Sequence, residues 1–283
     1  MAKILVLGAG YVGARLAELA RARGHDPVVL RRTPAKTDAQ RVLTADLADL
    51  ASLERVSERA ELLVYCAGPD ASTEEAYRLA YVVGLENALR VFGGAARRVL
   101  FVSSTAVYAQ TDGGVVDEDS PAESRRFNAR ALLEAEALVS RAHPGAVVLR
   151  LGGIYGPGRA SLLDAALSGN ATYREGDEQF VNRFHRDDCA GALLHLLELE
   201  RPERLYLGVD DEPCSRRGVL EWLTRELGMA PPRPGDHSET GHRGTSHKRC
   251  TNARLRASGY DLVFPTYREG YGALLRERPC EKP

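Results

Sequence analysis

The chain has 283 residues, 44% of them apolar and 27% charged, a length that fits one large domain or a domain with an appended lobe. A net charge of −1 gives no general pull toward nucleic acid or an anionic membrane, and no apolar run reaches the length of a membrane span. Five cysteines, at 66, 189, 214, 250 and 280, are odd in number and hold no CxxC pair, so neither a disulfide framework nor a metal site is expected.

Lys3 to Leu7 form an apolar run that reads as a buried strand and leads straight into Gly8-Ala9-Gly10-Tyr11-Val12-Gly13. A dinucleotide pyrophosphate requires this spacing. Gly8 allows a tight turn, Gly10 lets the backbone approach the phosphates, and Gly13 lets the next helix pack closely on the strand. Val12, Leu16, Leu19 and Ala20 keep helical spacing over 11–23, and the N-terminal N–H groups of that helix face the anion. The motif opens too close to the first residue for a signal peptide, so a cytoplasmic location is expected.

The second strand, 27–31, bears on which dinucleotide is bound. An acidic side chain about 20 residues past the glycines usually takes the ribose 2′-hydroxyl, whereas this chain places Arg31-Arg32 there. Two guanidiniums match a phosphate in fork geometry, which favours NADP(H) over NAD(H). An arginine-rich surface is the competing reading. Lysine occurs only at 3, 36, 248 and 282, which leaves 34 of the 38 basic residues as arginine.

Further strands are expected at 41–45, 61–66, 98–103, 146–151 and 204–208. They alternate with helices near 50–60, 73–93, 127–142, 159–168, 187–200 and 215–227. Such alternation predicts an α/β fold, a doubly wound parallel sheet of Rossmann type. Residues 1–155 form the dinucleotide-binding core, and 156–283 supply the last sheet elements and a small C-terminal substrate-binding lobe integral with it. Between Pro231 and His247 the pattern disappears, which reads as a disordered surface loop or a lid over the site. His237, His242 and His247 fall there without metal-ligand spacing.

Ligands of a doubly wound sheet sit outside the carboxyl ends of its strands. After strand three, Asp46 offers a carboxylate to an adenine amino group or caps the next helix, and Leu47 follows it. After strand four, Cys66, Ala67 and Gly68 are small enough for the backbone to lie against the cofactor ribose, or simply form a turn. Strand five runs into Ser103-Ser104-Thr105-Ala106-Val107-Tyr108, with Ser103 on the cofactor side, and strand six into Tyr155-Gly156-Pro157-Gly158.

Together these segments resemble the extended short-chain dehydrogenase/reductase family of NAD(P)-dependent sugar-nucleotide epimerases and dehydratases. The resemblance rests on the glycine loop, Ser103 to Tyr108, Asp117-Glu118 with Pro121, the Tyr155 to Gly158 turn, and Arg183-Phe184-His185-Arg186-Asp187-Asp188, in that order. It implies that Ser104 hydrogen-bonds the reacting oxygen of a substrate. One departure is large: the family's Tyr-x-x-x-Lys proton-transfer pair falls on Phe127 and Ala131, and the pair occurs nowhere else in the chain. Phenylalanine has no proton to give. The pattern is similar to the atypical, sugar-nucleotide-epimerase-like branch.

If hydride chemistry persists, another group must move the proton. Tyr108 and Tyr155 follow strand ends, and His185 has the most suitable intrinsic pKa, about 6.5, or is a helix-start histidine satisfied by backbone. Lys248 and Arg249 offer cations to an anionic substrate or form a solvated turn. The expected function is an NADP-dependent oxidoreductase or epimerase acting on a small polar or nucleotide-sugar substrate, in a monomer or homodimer without nucleic-acid or membrane partners. Its rival is a catalytically silent NADP-binding redox sensor or regulatory protein.

Overall fold

The computed structural model describes residues 1–33, 41–173, 180–235 and 247–277. Seven strands build the central sheet: β1 Lys3–Leu7, β2 Asp26–Arg31, β3 Arg41–Thr44, β4 Leu62–Tyr65, β5 Arg98–Ser104, β6 Ala146–Leu151 and β7 Leu205–Gly208. All pair in parallel, in the order 3-2-1-4-5-6-7. The chain therefore starts at the centre, winds to one edge, returns and winds to the other. The expected doubly wound sheet is present, with a switch point between β1 and β4.

The strands are apolar on both faces because both are covered. Ile4 and Val6 point into one core with Leu16, Ala17 and Ala20 of α1 (Tyr11–Ala22) and Leu193, Leu194 and Leu197 of the helix Arg186–Glu198. Leu5 and Leu7, one residue out of phase, point into the other core with Leu85, Ala88, Leu132 and Val139 from the helices Gly84–Phe92 and Phe127–Ala142. A third, smaller core of Tyr155, Leu162, Leu163, Val219, Leu220, Leu223, Tyr267 and Tyr271 forms the C-terminal lobe.

In chain order the remaining helices are α2 Leu50–Glu54, α3 Glu74–Arg78, α4 Gly84–Phe92, α5 Phe127–Ala142, α6 Ser161–Leu167, α7 Arg186–Glu198, α8 Arg216–Glu226, α9 Ala253–Ala257 and α10 Tyr267–Glu277. The helix expected over 73–93 is interrupted by a π turn, Leu79–Val83. Its cause is local. Tyr65, at the end of β4, donates its hydroxyl to Ala80 O, and a Cβ on Gly84 would lie 2.6 Å from that hydroxyl. The two C-terminal helices were not legible as periodic stripes. Asp188 of α7 fastens that region to the core by accepting from Val263 N, Phe264 N and the Tyr260 hydroxyl at 2.7 to 3.0 Å. Residues 236–246, with His237 and His242, lie outside the described residues.

Candidate functional site

The glycine loop follows from sterics. Gly8 has φ of +103°, and a Cβ on it would stand 2.5 Å from Ala67 N; a Cβ on Gly13 would stand 2.1 Å from Gly8 O. Gly10 differs: a Cβ there would meet no atom of the described residues within 4 Å. Gly8 and Gly13 are therefore demanded by the protein itself, and the absence of a side chain at Gly10 leaves open space at the N-terminus of α1. That terminus carries no acidic residue in its first turn, and its cap, Gly10, has no side chain to take its N–H groups. A pyrophosphate fits this cradle on charge, on donors and on space. Cys66 fixes its floor by donating its thiol to Gly8 O at 3.1 Å, and burial pushes that thiol up to about 12.

From the cradle a crevice of about 610 Å³ runs over the ends of β1, β2, β3 and β4. Gly8, Ala9, Gly10, Arg31, Arg32, Asp46, Leu47, Cys66, Ala67 and Gly68 line it, so these ten expected cofactor residues are brought together. Asp46 is not a helix cap: Asp49 caps α2 by accepting from Ala51 N, while Asp46 accepts from Ala48 N and faces the crevice. Tyr11 and Val12 turn inward. The Tyr11 hydroxyl donates to Pro157 O at 2.9 Å, and the guanidiniums of Arg159 and Arg186 lie over its ring. The glycine loop is thereby joined to the Tyr155 to Gly158 turn.

Ser103 does not reach the crevice. Its hydroxyl donates to Glu136 Oε1 at 2.6 Å inside the core, where the same carboxylate takes Arg150 Nε and Nη2 at 3.0 and 2.6 Å. Tyr108 belongs to that network: Arg150 Nη1 donates to its hydroxyl at 2.8 Å, and the hydroxyl donates to Asp117 O at 2.7 Å. Burial drives the Tyr108 pKa up to about 12. Next to it, Ser104 stays half-buried at the strand end. Its Oγ accepts from Ala106 N at 3.2 Å, which leaves its own proton to donate.

The other two expected proton carriers lie elsewhere. Tyr155 is 2% exposed, stacked on Tyr271 at 4.6 Å, and its hydroxyl has no partner among the described residues. Burial raises its pKa strongly. His185, 3% exposed, caps α7 by accepting from Asp187 N at Nδ1, and burial lowers its pKa to about 4. It is therefore neutral at physiological pH, with Nε2 enclosed and unpartnered among the described residues. Lys248 is 2% exposed and donates to Tyr108 O, so that cation is withdrawn from solvent, whereas Arg249 is exposed and its Nε donates to Gly113 O.

At the positions of the family pair, Phe127 meets Tyr77 edge-on at 5.4 Å and Ala131 is buried on α5. Sequence reasoning missed a phenol nearby. Tyr81 packs on Tyr77 and on Phe101, and its hydroxyl lies 3.8 Å from where a Gly68 Cβ would be. Burial raises its pKa, so it is a hydrogen-bond donor at neutral pH. The i, i+4 spacing of Tyr77 and Tyr81 just after strand four was the available signal.

The NAD dependent epimerase/dehydratase family matches residues 4–208, most of the sheet and the whole crevice. The chain belongs to that family. Among relatives of this epimerase/dehydratase chain, a Streptomyces protein called 3-diazoavenalumate denitrifying reductase is 31% identical over 95% of this chain and 99% of its own length. A solved structure from Methylobacillus flagellatus, described as an NAD-dependent epimerase/dehydratase, is 37% identical and covers 97% of this chain and 98% of its own, with a TM-score of 0.82. The human epimerase family protein SDR39U1, solved with NADPH, shares the fold at a TM-score of 0.81 and 21% identity, over 98% of this chain and 100% of its own. As a member of this family the chain is an NAD(P)-binding protein of the oxidoreductase and epimerase class.

Proposed function

We propose that this protein is an NADP(H)-dependent reductase of a small electrophilic substrate, and that it works without a tyrosine–lysine proton relay. The observation that carries the reading is the packing at the relay positions: Phe127 lies against Tyr77 and Ala131 is buried, while the phosphate cradle and Ser104 are intact. Epimerisation of a sugar begins by drawing a proton off a hydroxyl. Tyr108, Tyr155 and His185 are all buried, with the tyrosines raised and the histidine lowered in pKa, so none is a base poised near neutrality.

A reduction in which hydride displaces a leaving group needs no proton from the protein. The name of the Streptomyces relative describes such a case, a diazo compound that loses its nitrogen. NADPH held in the cradle would supply the hydride, and with it the electron pair of a new C–H bond, while dinitrogen would leave with the C–N pair. The chain's own part is positional. Gly8 to Gly13 hold the pyrophosphate, Arg31 and Arg32 face the adenosine ribose, and Ser104 donates to a polar substrate atom at the end of β5.

The test is NADPH oxidation by the purified protein with 3-diazoavenalumate or a simple arenediazonium salt. Expected results are loss of NADPH absorbance, release of dinitrogen, transfer of deuterium from nicotinamide C4 to the arene carbon, and a strong decrease in Ser104→Ala. A second reading, a silent NADP-binding sensor, is favoured by the same packing of Phe127 and Ala131. NADPH binding without turnover across diazo compounds, aldehydes, ketones and nucleotide sugars would support it and refute the first.

A further inference from the structure

The adenosine end of the crevice contains two carboxylates beside its two arginines. Arg32, at the end of β2, reaches across the mouth to Asp70, beyond β4, and holds both of its oxygens in a two-pronged ion pair. Arg31 does something different: its Nη2 donates to Thr33 Oγ1 at 3.2 Å. Arg31, Arg32, Thr33, Asp46 and Asp70 all line the same space, so the formal charges at this end cancel. Electrostatically, Asp46 as well as Asp70 acts on Arg32, and the Arg32 guanidinium holds the Asp70 carboxyl below the usual range.

Two arginines with no acid near them attract a 2′-phosphate outright, whereas these two meet it with one guanidinium already engaged and a like charge at hand. We infer that Asp70 is a specificity-determining residue that competes with the cofactor's 2′-phosphate for Arg32 and so holds back the preference for NADPH over NADH. This rests on the reading of the arginines as a 2′-phosphate site. Arg31 is the constant part of that site and Arg32 the part that must change partner. Both members of the pair are more than half exposed, so water and salt compete with it and the exchange is accessible at equilibrium.

The experiment is titration of the full chain with NADPH and NADH by calorimetry, at low and at high salt, for wild type, Asp70→Asn, Arg32→Ala, Arg31→Ala and the double variant Asp70→Asn/Arg32→Ala. Asp70→Asn removes the competing charge without changing size, and NADPH is expected to bind roughly three- to tenfold more tightly at low salt while NADH changes less than about twofold. The gain shrinks at high salt, and Arg32→Ala cancels it in the double variant. Unchanged or weaker NADPH binding by Asp70→Asn overturns the inference and makes Asp70 a support for Arg32. An equal gain for NADH overturns it too. The underlying reading has its own control: Arg31→Ala weakens NADPH far more than NADH if the arginines take the 2′-phosphate, and equal effects defeat that reading whatever Asp70→Asn does.

Discussion

Glu136 is the acceptor on which the end of β5 depends, and its replacement by alanine gives the sharpest test of how the site is held. Its carboxylate takes three donors, Ser103 Oγ and two nitrogens of Arg150, in a region where Arg150 is 6% exposed and Ser103 4% exposed. Removing it leaves a guanidinium whose remaining described acceptor is the Tyr108 hydroxyl, itself turned to Asp117 O. Breaking one side of a buried ion pair costs about 3–5 kcal/mol, because the surviving charge stays in a poor solvent. At a denaturant sensitivity of about 3 kcal/mol per molar urea, the upper end for a domain, the unfolding midpoint falls by about 1–1.7 M. Far-UV circular dichroism against urea reads this directly. The companion Glu136→Leu/Arg150→Met removes both charges and recovers most of the loss, since an apolar pair of similar volume replaces an ion pair at little cost. A loss below about 1 kcal/mol for Glu136→Ala, or no recovery in the double variant, refutes the claim that this pair anchors the strand end.

Two further outcomes follow from the glycine loop and from His185. Gly10→Ala is expected to fold with near-normal stability, because its Cβ enters open space, yet to lose NADPH binding by calorimetry; Gly13→Ala, whose Cβ would stand 2.1 Å from Gly8 O, loses stability as well. Normal NADPH binding by Gly10→Ala would remove the phosphate from the cradle. His185 titrates at about 4 in the fold against 6.5 in the unfolded chain. A pKa lowered by folding means that its contribution is complete above pH 6.5 and is lost as pH falls toward 4, about 3 kcal/mol in all. Asp188, raised to about 6 by burial, acts in the opposite sense as pH falls from 6 toward 3.8. The informative quantity is therefore the difference between wild type and His185→Asn, measured by urea unfolding at pH 7, 5.5 and 4.5. His185→Asn should lessen the acid-side loss, and parallel pH profiles would refute a neutral buried histidine.

The elements that sequence could reveal are those whose evidence is local. An apolar run such as Ile4 to Leu7 reports a strand covered on both faces, and three glycines report backbone constraints within a six-residue loop. For Gly8 and Gly13 the partners lie in that loop or in the turn at Cys66-Ala67, and for that reason the cradle was readable. The π turn at Leu79–Val83 was not, because its cause is a phenol 15 residues earlier on β4.

The candidate proton carriers show the same limit in chemical form. Tyr108 and Tyr155 follow strand ends, which is where ligands of such a sheet sit, and His185 opens a helix, but position along the chain says nothing of which side chains close over each. Arg150 from β6, Gly270 from α10 and Phe264 come from 42, 115 and 79 residues further on and take these three out of solvent. Ser104 escapes because it caps its own turn by accepting from Ala106 N two residues away, an interaction that spends an acceptor and keeps a donor. The same reasoning applies to Arg32. Its charge was visible in sequence, its partner 38 residues later was not, and the balance of charge at a cofactor pocket is a property of the pair. For a family member without the usual phenol and lysine, what decides the chemistry is which polar groups retain an unspent proton at the open end of the sheet. By hydrogen-bond inventory Ser104 and Tyr81 do so, and both are donors at neutral pH.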